Sequence, residues 1–133
     1  MLTKNVDSRE IFSALTDPLR VRILRILVST AVDACLCEFV DSLHEPQYKI
    51  SRHLKTLRQA GLLSAEKDGR WVYHRLETGV PYLRHLHATL KELPDEDKRF
   101  SRDLKNFRLR LKLRDRGRCR IGIQNKEFAK GNA

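Results

Sequence analysis

Three stretches of the sequence predict a mainly α fold with a β-hairpin wing, an α+β arrangement of the winged helix-turn-helix kind. The first is CLCEFVDSLHEPQYKISRHLKTLRQAG, residues 35–61, where Leu36, Phe39, Val40 and Leu43, then Ile50, Leu54 and Leu57, recur at helical spacing. The second is the face opposite that latter stripe, where Tyr48, Lys49, Arg52, Lys55, Thr56 and Gln59 make a polar and basic surface. The third is LLSAEKDGRWVYHRL after Gly61. There Leu63 and Ala65 alternate with polar residues, then Val72, His74 and Leu76 alternate with Trp71, Tyr73 and Arg75. Asp68-Gly69 stands between the two runs, a pair favoured in tight hairpin loops because both positions tolerate positive φ.

In chain order, Asp7 with Glu10 reads as a capping-box variant, and Ile11, Ala14 and Leu15 give a first short helix its buried side. Asp17-Pro18 opens a second helix as N-cap and first helical residue. Val21, Ile23, Leu24, Leu27 and Val28 make it a core helix, and Arg20, Arg22 and Arg25 read as solubilising charge. The motif's two helices follow, joined by His44-Glu45-Pro46 and stopped at Gly61, which suits a left-handed C-terminal turn. Lys67 and Arg70 flank the hairpin tip. In VPYLRHLHATLKEL, residues 80–93, the stripe Leu83, Leu86, Leu90, Leu93 has little of its own domain left to cover it, so burial against a second copy is expected, giving a homodimer. After Pro94 and the acidic Asp95-Glu96-Asp97, Phe100, Leu104, Phe107 and Leu111 predict a further amphipathic basic helix to about Arg114. The remainder has glycines, charges and no sustained period and reads as flexible. The expected organisation is therefore 1–93, a DNA-binding and dimerisation domain; 94–114, the basic helix; and 115–133, a flexible tail.

A chain of 133 residues suits one core. No apolar run could span a bilayer and MLTKNVDSRE lacks a secretion signal, so a cytoplasmic protein with no membrane partner is expected. Three cysteines, an odd number, fit reduced thiols better than a disulfide scaffold. Residues 99–120 carry ten Lys or Arg against Asp103 and Asp115, which accounts for +8 of the total +10. The helix-turn-helix is thus only locally basic. No phosphate loop, nucleophile elbow or convergent carboxylate pair is present, and an enzyme is not expected.

Asp17-Pro18-Leu19-Arg20, Cys35-x-Cys37, Ile50-Ser51-Arg52-His53-Leu54, Leu57, Gly61-Leu62 and Gly69-Arg70-Trp71-Val72-Tyr73-His74 resemble the ArsR/SmtB family of metal-responsive transcriptional repressors, over roughly residues 7–93. The resemblance implies a winged-helix homodimer, its first and last helices paired across the dimer. Such a dimer sits on duplex operator DNA with an inverted repeat and leaves it when a metal or metalloid binds.

Recognition helices meet base edges with their N-terminal part, which selects Gln47, Tyr48, Lys49, Ser51 and Arg52, with Lys55, Lys67 and Arg70 nearer phosphates. Cys35 and Cys37, taken alone, read either as small buried residues or as a thiolate pair at a helix start. The resemblance turns them towards metal and points to As(III) or Sb(III) as inducer, because related arsenic sensors carry cysteines on this helix. The family's C-x-C-x-x-C pattern has Val40 at its third position here. Cys119 is the candidate for the missing third thiolate, in its own chain or across the dimer, with a small thiol as the other way to complete the site. His44, His53 and His74 read as structural. His85 and His87 fall where zinc-sensing relatives bind metal, but i, i+2 spacing sets them on opposed faces. Two alternatives stay open: a repressor sensing thiol redox state or a soft divalent metal, and a non-sensing nucleic-acid module that binds through the basic tail.

Overall fold

The computed structural model describes residues 6–129, so the ends of the first and last expected segments, 1–5 and 130–133, lie outside the described residues. Helix α1 (Ser8–Ala14) is capped by Asp7, whose carboxylate accepts from Arg9 N at 2.8 Å and pairs with the Arg9 guanidinium rather than forming a box with Glu10. Asp17 caps α2 (Pro18–Thr30), accepting from Leu19 N and Arg20 N, and Pro18 takes the position where a missing N–H costs nothing. Helix α2 ends at Ala31 in the left-handed region.

A two-residue strand β1 (Ala34–Cys35) runs directly into α3 (Leu36–Leu43). His44 ends α3 with φ 56°, Pro46 caps α4 (Gln47–Gln59), and Gly61 turns the chain out of α4 with φ 76°. Leu62 N then closes back on Leu57 O at 3.0 Å, as a Schellman stop requires. The wing consists of β2 (Leu63–Asp68) and β3 (Trp71–Leu76), antiparallel, with Asp68 opposite Trp71. The two-residue loop is therefore Gly69-Arg70, one position later than the sequence suggests. Only Gly69 needs positive φ there (64°), the demand of a II′ turn. Strand β1 adds to the other edge of β3, pairing Ala34 with His74 and Cys35 with Tyr73, so the sheet order is β1-β3-β2.

Helices α5 (Pro81–Lys91) and α6 (Arg99–Leu111) follow, then a short α7 (Lys126–Ala129). One apolar cluster takes Ile23, Leu24 and Leu27 of α2, Phe39, Val40 and Leu43 of α3, and Ile50, Leu54 and Leu57 of α4, all buried. Leu83 and Leu90 of α5 join it within the same chain, leaving Leu86 and Leu93 of the expected stripe half-buried. Phe107 of α6 is fully buried and stacks on Phe39 at 6.2 Å between centroids. Helix α6 therefore shares the core instead of standing outside it, and packing draws no boundary at residue 94.

Ion pairs explain why. Arg22, expected as solubilising charge, is buried and donates to Asp103 of α6 at 2.8 and 2.9 Å and to Leu43 O at 2.9 Å. Arg20 donates to Ala14 O and Arg25 to Leu93 O. The residues after α6 are tied down too, against the expectation of a flexible tail. Arg110 donates to Asp41 at 2.6 Å and to the carbonyls of Ile121 and Gly122, while Asp41 also accepts from Gln124 N and Asn125 N. A buried charge deprived of its partner costs several kcal/mol, roughly 3–5, so these pairs hold α6 and residues 115–125 to one placement. Among the described residues no helix is long and apolar enough to cross a membrane.

Candidate metal centre and nucleic-acid interface

Cys35 is the last extended residue before α3, with φ −90° and ψ 158°, and Cys37 is already helical. In a continuous helix side chains at i and i+2 diverge, whereas the extended backbone at Cys35 lets its side chain join that of Cys37 in one cluster. The third sulfur comes from the segment after α6. Cys119 Sγ lies 3.8 Å from Cys37 Sγ, and all three cysteines are free and buried in one small cluster with Tyr73. The Tyr73 hydroxyl accepts from Cys119 N at 2.8 Å, and Arg118 lies over the Tyr73 ring at 3.8 Å while pairing with Asp68 of the wing.

Beneath the sulfurs is a carboxylate. Ligand atoms of Cys35, Glu38 and Cys119 lie within 4.8 Å of one another. Glu38 is fully buried, and its oxygens already accept from Cys35 N at 3.0 Å and from Arg114 at 2.7 and 2.8 Å. Arg114 also donates to Asp33 O at 2.6 Å and to Gly117 O at 3.2 Å. Glu38 thus anchors the strand-to-helix junction and the Cys119 segment together, and the donors left over are sulfurs. Such a set fits a soft, thiophilic centre and not an oxygen-seeking cation.

The three thiols divide charge unequally. Contacts with Cys119 and then Cys35, helped by Arg110 against the cost of burial, bring Cys37 down to about 4. The contacts with Cys119 and Cys37, and burial, push Cys35 up. Cys119, lowered by Cys35 but raised by Cys37 and by burial, ends higher than a free thiol. The ready thiolate is Cys37, the second residue of α3 and within its first turn.

On the other side of the motif, α4 exposes Tyr48, Ser51, Arg52 and Lys55, with Gln47 and Lys49 half-buried. Arg52 sits 5.9 Å from the Tyr48 ring and Lys49 Nζ reaches Glu45 at 3.4 Å. Lys67 and Arg70 are exposed at the wing tip, Arg70 over the Trp71 ring at 4.6 Å. All eight expected DNA contacts therefore lie on α4 and the wing tip. His53 is held between Arg20 and Asp17 on the core side of α4. His74 is buried, and its Nε2 meets Arg58 Nη1 at 2.6 Å. Burial, and then the Arg58 charge, bring it down to about 4.

Sequence reading missed Glu38, Tyr73, Arg114 and Arg118. Glu38 was legible, since Cys35-x-x-Glu38 has capping-box spacing. The others join segments far apart in the chain, and local pattern carries no sign of them.

Part of the chain resembles known proteins. The family model described as bacterial regulatory protein, arsR family, matches residues 17–65. Arsenic resistance transcriptional regulator ArsR2 of Pseudomonas putida is 38% identical over 84 residues, covering 62% of this chain and 72% of that protein. ArsR1 of the same organism is 40% identical over 85 residues, 64% of each chain. The arsenical resistance operon repressor of Escherichia coli K12 is 40% identical over 72 residues, covering 54% of this chain and 61% of that one. The chain thus spans a little under two thirds of the latter two proteins.

Proposed function

Because the chain belongs to the arsR family of bacterial regulatory proteins, we propose that it is a cytoplasmic transcriptional repressor which leaves its operator when As(III) or Sb(III) binds at Cys35, Cys37 and Cys119. The proteins it resembles are transcriptional regulators and not enzymes. One observation supports the reading above the rest: cysteines 82 positions apart, Cys37 and Cys119, meet in a buried cluster at the base of the helix that precedes α4.

A trivalent metalloid, when bound, supplies a centre that joins three thiolates. The protein's own residues do the rest. Cys37 offers a thiolate at neutral pH, Cys35 sits at the hinge from β1 to α3, and Cys119 rides on a segment fixed through Arg114 and Tyr73. Helix α3 buries Phe39, Val40 and Leu43 against Ile50, Leu54 and Leu57 of α4, so a shift at the start of α3 is passed to the recognition helix through packed side chains. DNA release then requires that the inducer bind more tightly to the arrangement that fits DNA poorly, with a coupling of typically about 1–3 kcal/mol. Gln47, Tyr48, Lys49, Ser51 and Arg52 face base edges and Lys55, Lys67 and Arg70 face phosphates. The working form is a homodimer on an inverted repeat, and Phe12, 69% exposed on α1, with the half-buried Leu86 of α5 offers an apolar face for it. In this scheme residues 6–93 carry DNA binding and pairing, and residues 94–125 supply the third thiol.

Fluorescence anisotropy of a labelled operator duplex tests the function. Arsenite should release DNA from the wild type, whereas Cys35→Ser and Cys37→Ser should bind DNA normally and stay bound. Release that persists in the double variant places the sensor elsewhere. The 3.8 Å approach of Cys37 and Cys119 supports a second reading, in which a peroxide takes two electrons and two protons from these thiols and leaves a disulfide. Release by peroxide but not by arsenite in the same assay would select it.

A further inference from the structure

A cavity of about 440 Å³ lies between α4 and the wing. Part of its lining is deep: Cys35 and Cys37, only 2% and 6% exposed, with the buried His74. Part is at the surface: Ser51 and Arg70 are exposed and Gln47 is half-buried. Cys119 is not among the lining residues, so two of the three clustered cysteines border the cavity. Gln47, Ser51 and Arg70 are among the residues assigned above to DNA, and the exposed Val72 of β3 lies beside them.

We propose that this cavity is the path by which a thiophilic ligand reaches Cys35 and Cys37, and that bound DNA closes it. The inference rests on the assignment of α4 and the wing tip to DNA. A duplex held by Ser51 on one side and Arg70 on the other lies across the gap between them, and its backbone covers the opening. Cys35 and Cys37 have little exposure of their own, so closing the cavity shuts off their solvent. The inducer then does not evict DNA from the complex. It captures the repressor during the intervals when DNA is off, and the rate of uptake by a fully bound population is limited by DNA dissociation. The coupling described above is unchanged, since a closed path alters the rate of uptake and not the affinity of either state for the inducer.

The test reads the cysteines without metalloid. Full-length protein is treated with iodoacetamide, free or saturated with operator duplex, and the alkylation of each cysteine is followed by peptide mass. Cys37, the thiolate, should react fastest in the free protein, and DNA should slow the alkylation of Cys35 and Cys37 by on the order of tenfold or more, as the reaction needs both a thiolate and access to it. Equal rates for Cys35 and Cys37 with and without DNA overturn the proposal. A second arm follows arsenite uptake by sulfur–arsenic absorption in a stopped-flow instrument. With operator bound, the rate should level off at the DNA dissociation rate measured with competitor duplex. A rate that keeps rising with arsenite while anisotropy shows DNA still bound overturns the closed cavity and leaves the repressor reading standing. If free protein takes up no arsenite, the inducer reading fails, while DNA protection of Cys35 and Cys37 from alkylation still supports the closed path.

Discussion

Replacing Arg114 by alanine removes the cation on which the buried end of the site depends. Its guanidinium makes two bonds to Glu38, at 2.7 and 2.8 Å, and ties the Asp33 and Gly117 carbonyls to the same point. Without it Glu38, which has no exposed surface, loses its charged partner and is left with the Cys35 N–H and the neighbouring Cys119 thiol. Breaking a buried pair from one side costs about 3–5 kcal/mol, whereas replacing both partners by apolar groups is often near neutral. Arg114→Ala should therefore destabilise by about that amount, a fall of roughly 10–20 °C in Tm for a chain of this size. The double variant Arg114→Ala/Glu38→Leu should lose less than the sum of the single variants by on the order of 2 kcal/mol. Urea denaturation followed by far-ultraviolet circular dichroism measures all three. A loss under about 1 kcal/mol for Arg114→Ala, or additive single changes, would refute the view that this pair holds the Cys119 segment to the start of α3.

Phe107→Ala removes a fully buried ring stacked on Phe39 and should cost about 3–5 kcal/mol in the same assay, showing that α6 belongs to the core. His74 titrates near 4 when folded against 6.5 for a free imidazole, so the unfolded chain binds the extra proton first. Its contribution is complete above pH 6.5 and is lost as pH falls towards 4, with a slope of at most about 1.4 kcal/mol per unit that His74→Gln should remove from the urea midpoints. Arg52→Ala should relax sequence preference in competition binding, whereas Lys55→Ala should weaken all duplexes alike and reduce the salt slope by about one. Equal losses on operator and random DNA for both variants would contradict the division into base and phosphate contacts.

The parts of the fold that could be read in advance are those set by near neighbours. The caps at Asp17 and Pro18, the stripes of α3 and α4, the stop at Gly61 and the hairpin all depend on residues within one or two turns of each other. Strand β1 could not be read, because two residues carry no periodicity and exist as a strand only through Tyr73 and His74. The pairs Arg22 with Asp103, Arg110 with Asp41 and Arg114 with Glu38 join positions 69 to 81 apart. Each member alone resembles surface charge, and for this reason the basic stretch after residue 98 read as a solvated helix and a loose tail. At the candidate site, Cys35 and Cys37 were visible as a pair and Cys119 could be named as a third sulfur. The residues that carry it to the other two, Tyr73, Arg114 and Arg118, belong to tertiary structure alone.

The central claim is that Cys119 of the same protein completes a three-sulfur site with Cys35 and Cys37. X-ray absorption at the arsenic edge, on protein loaded with arsenite and freed of small thiols, counts the sulfurs directly. About three per arsenic are expected in the wild type and fewer in Cys119→Ser, as a soft centre takes the thiolates available to it. An unchanged sulfur count with unchanged arsenite affinity in Cys119→Ser would contradict the account and leave Cys35 and Cys37 as the only protein ligands.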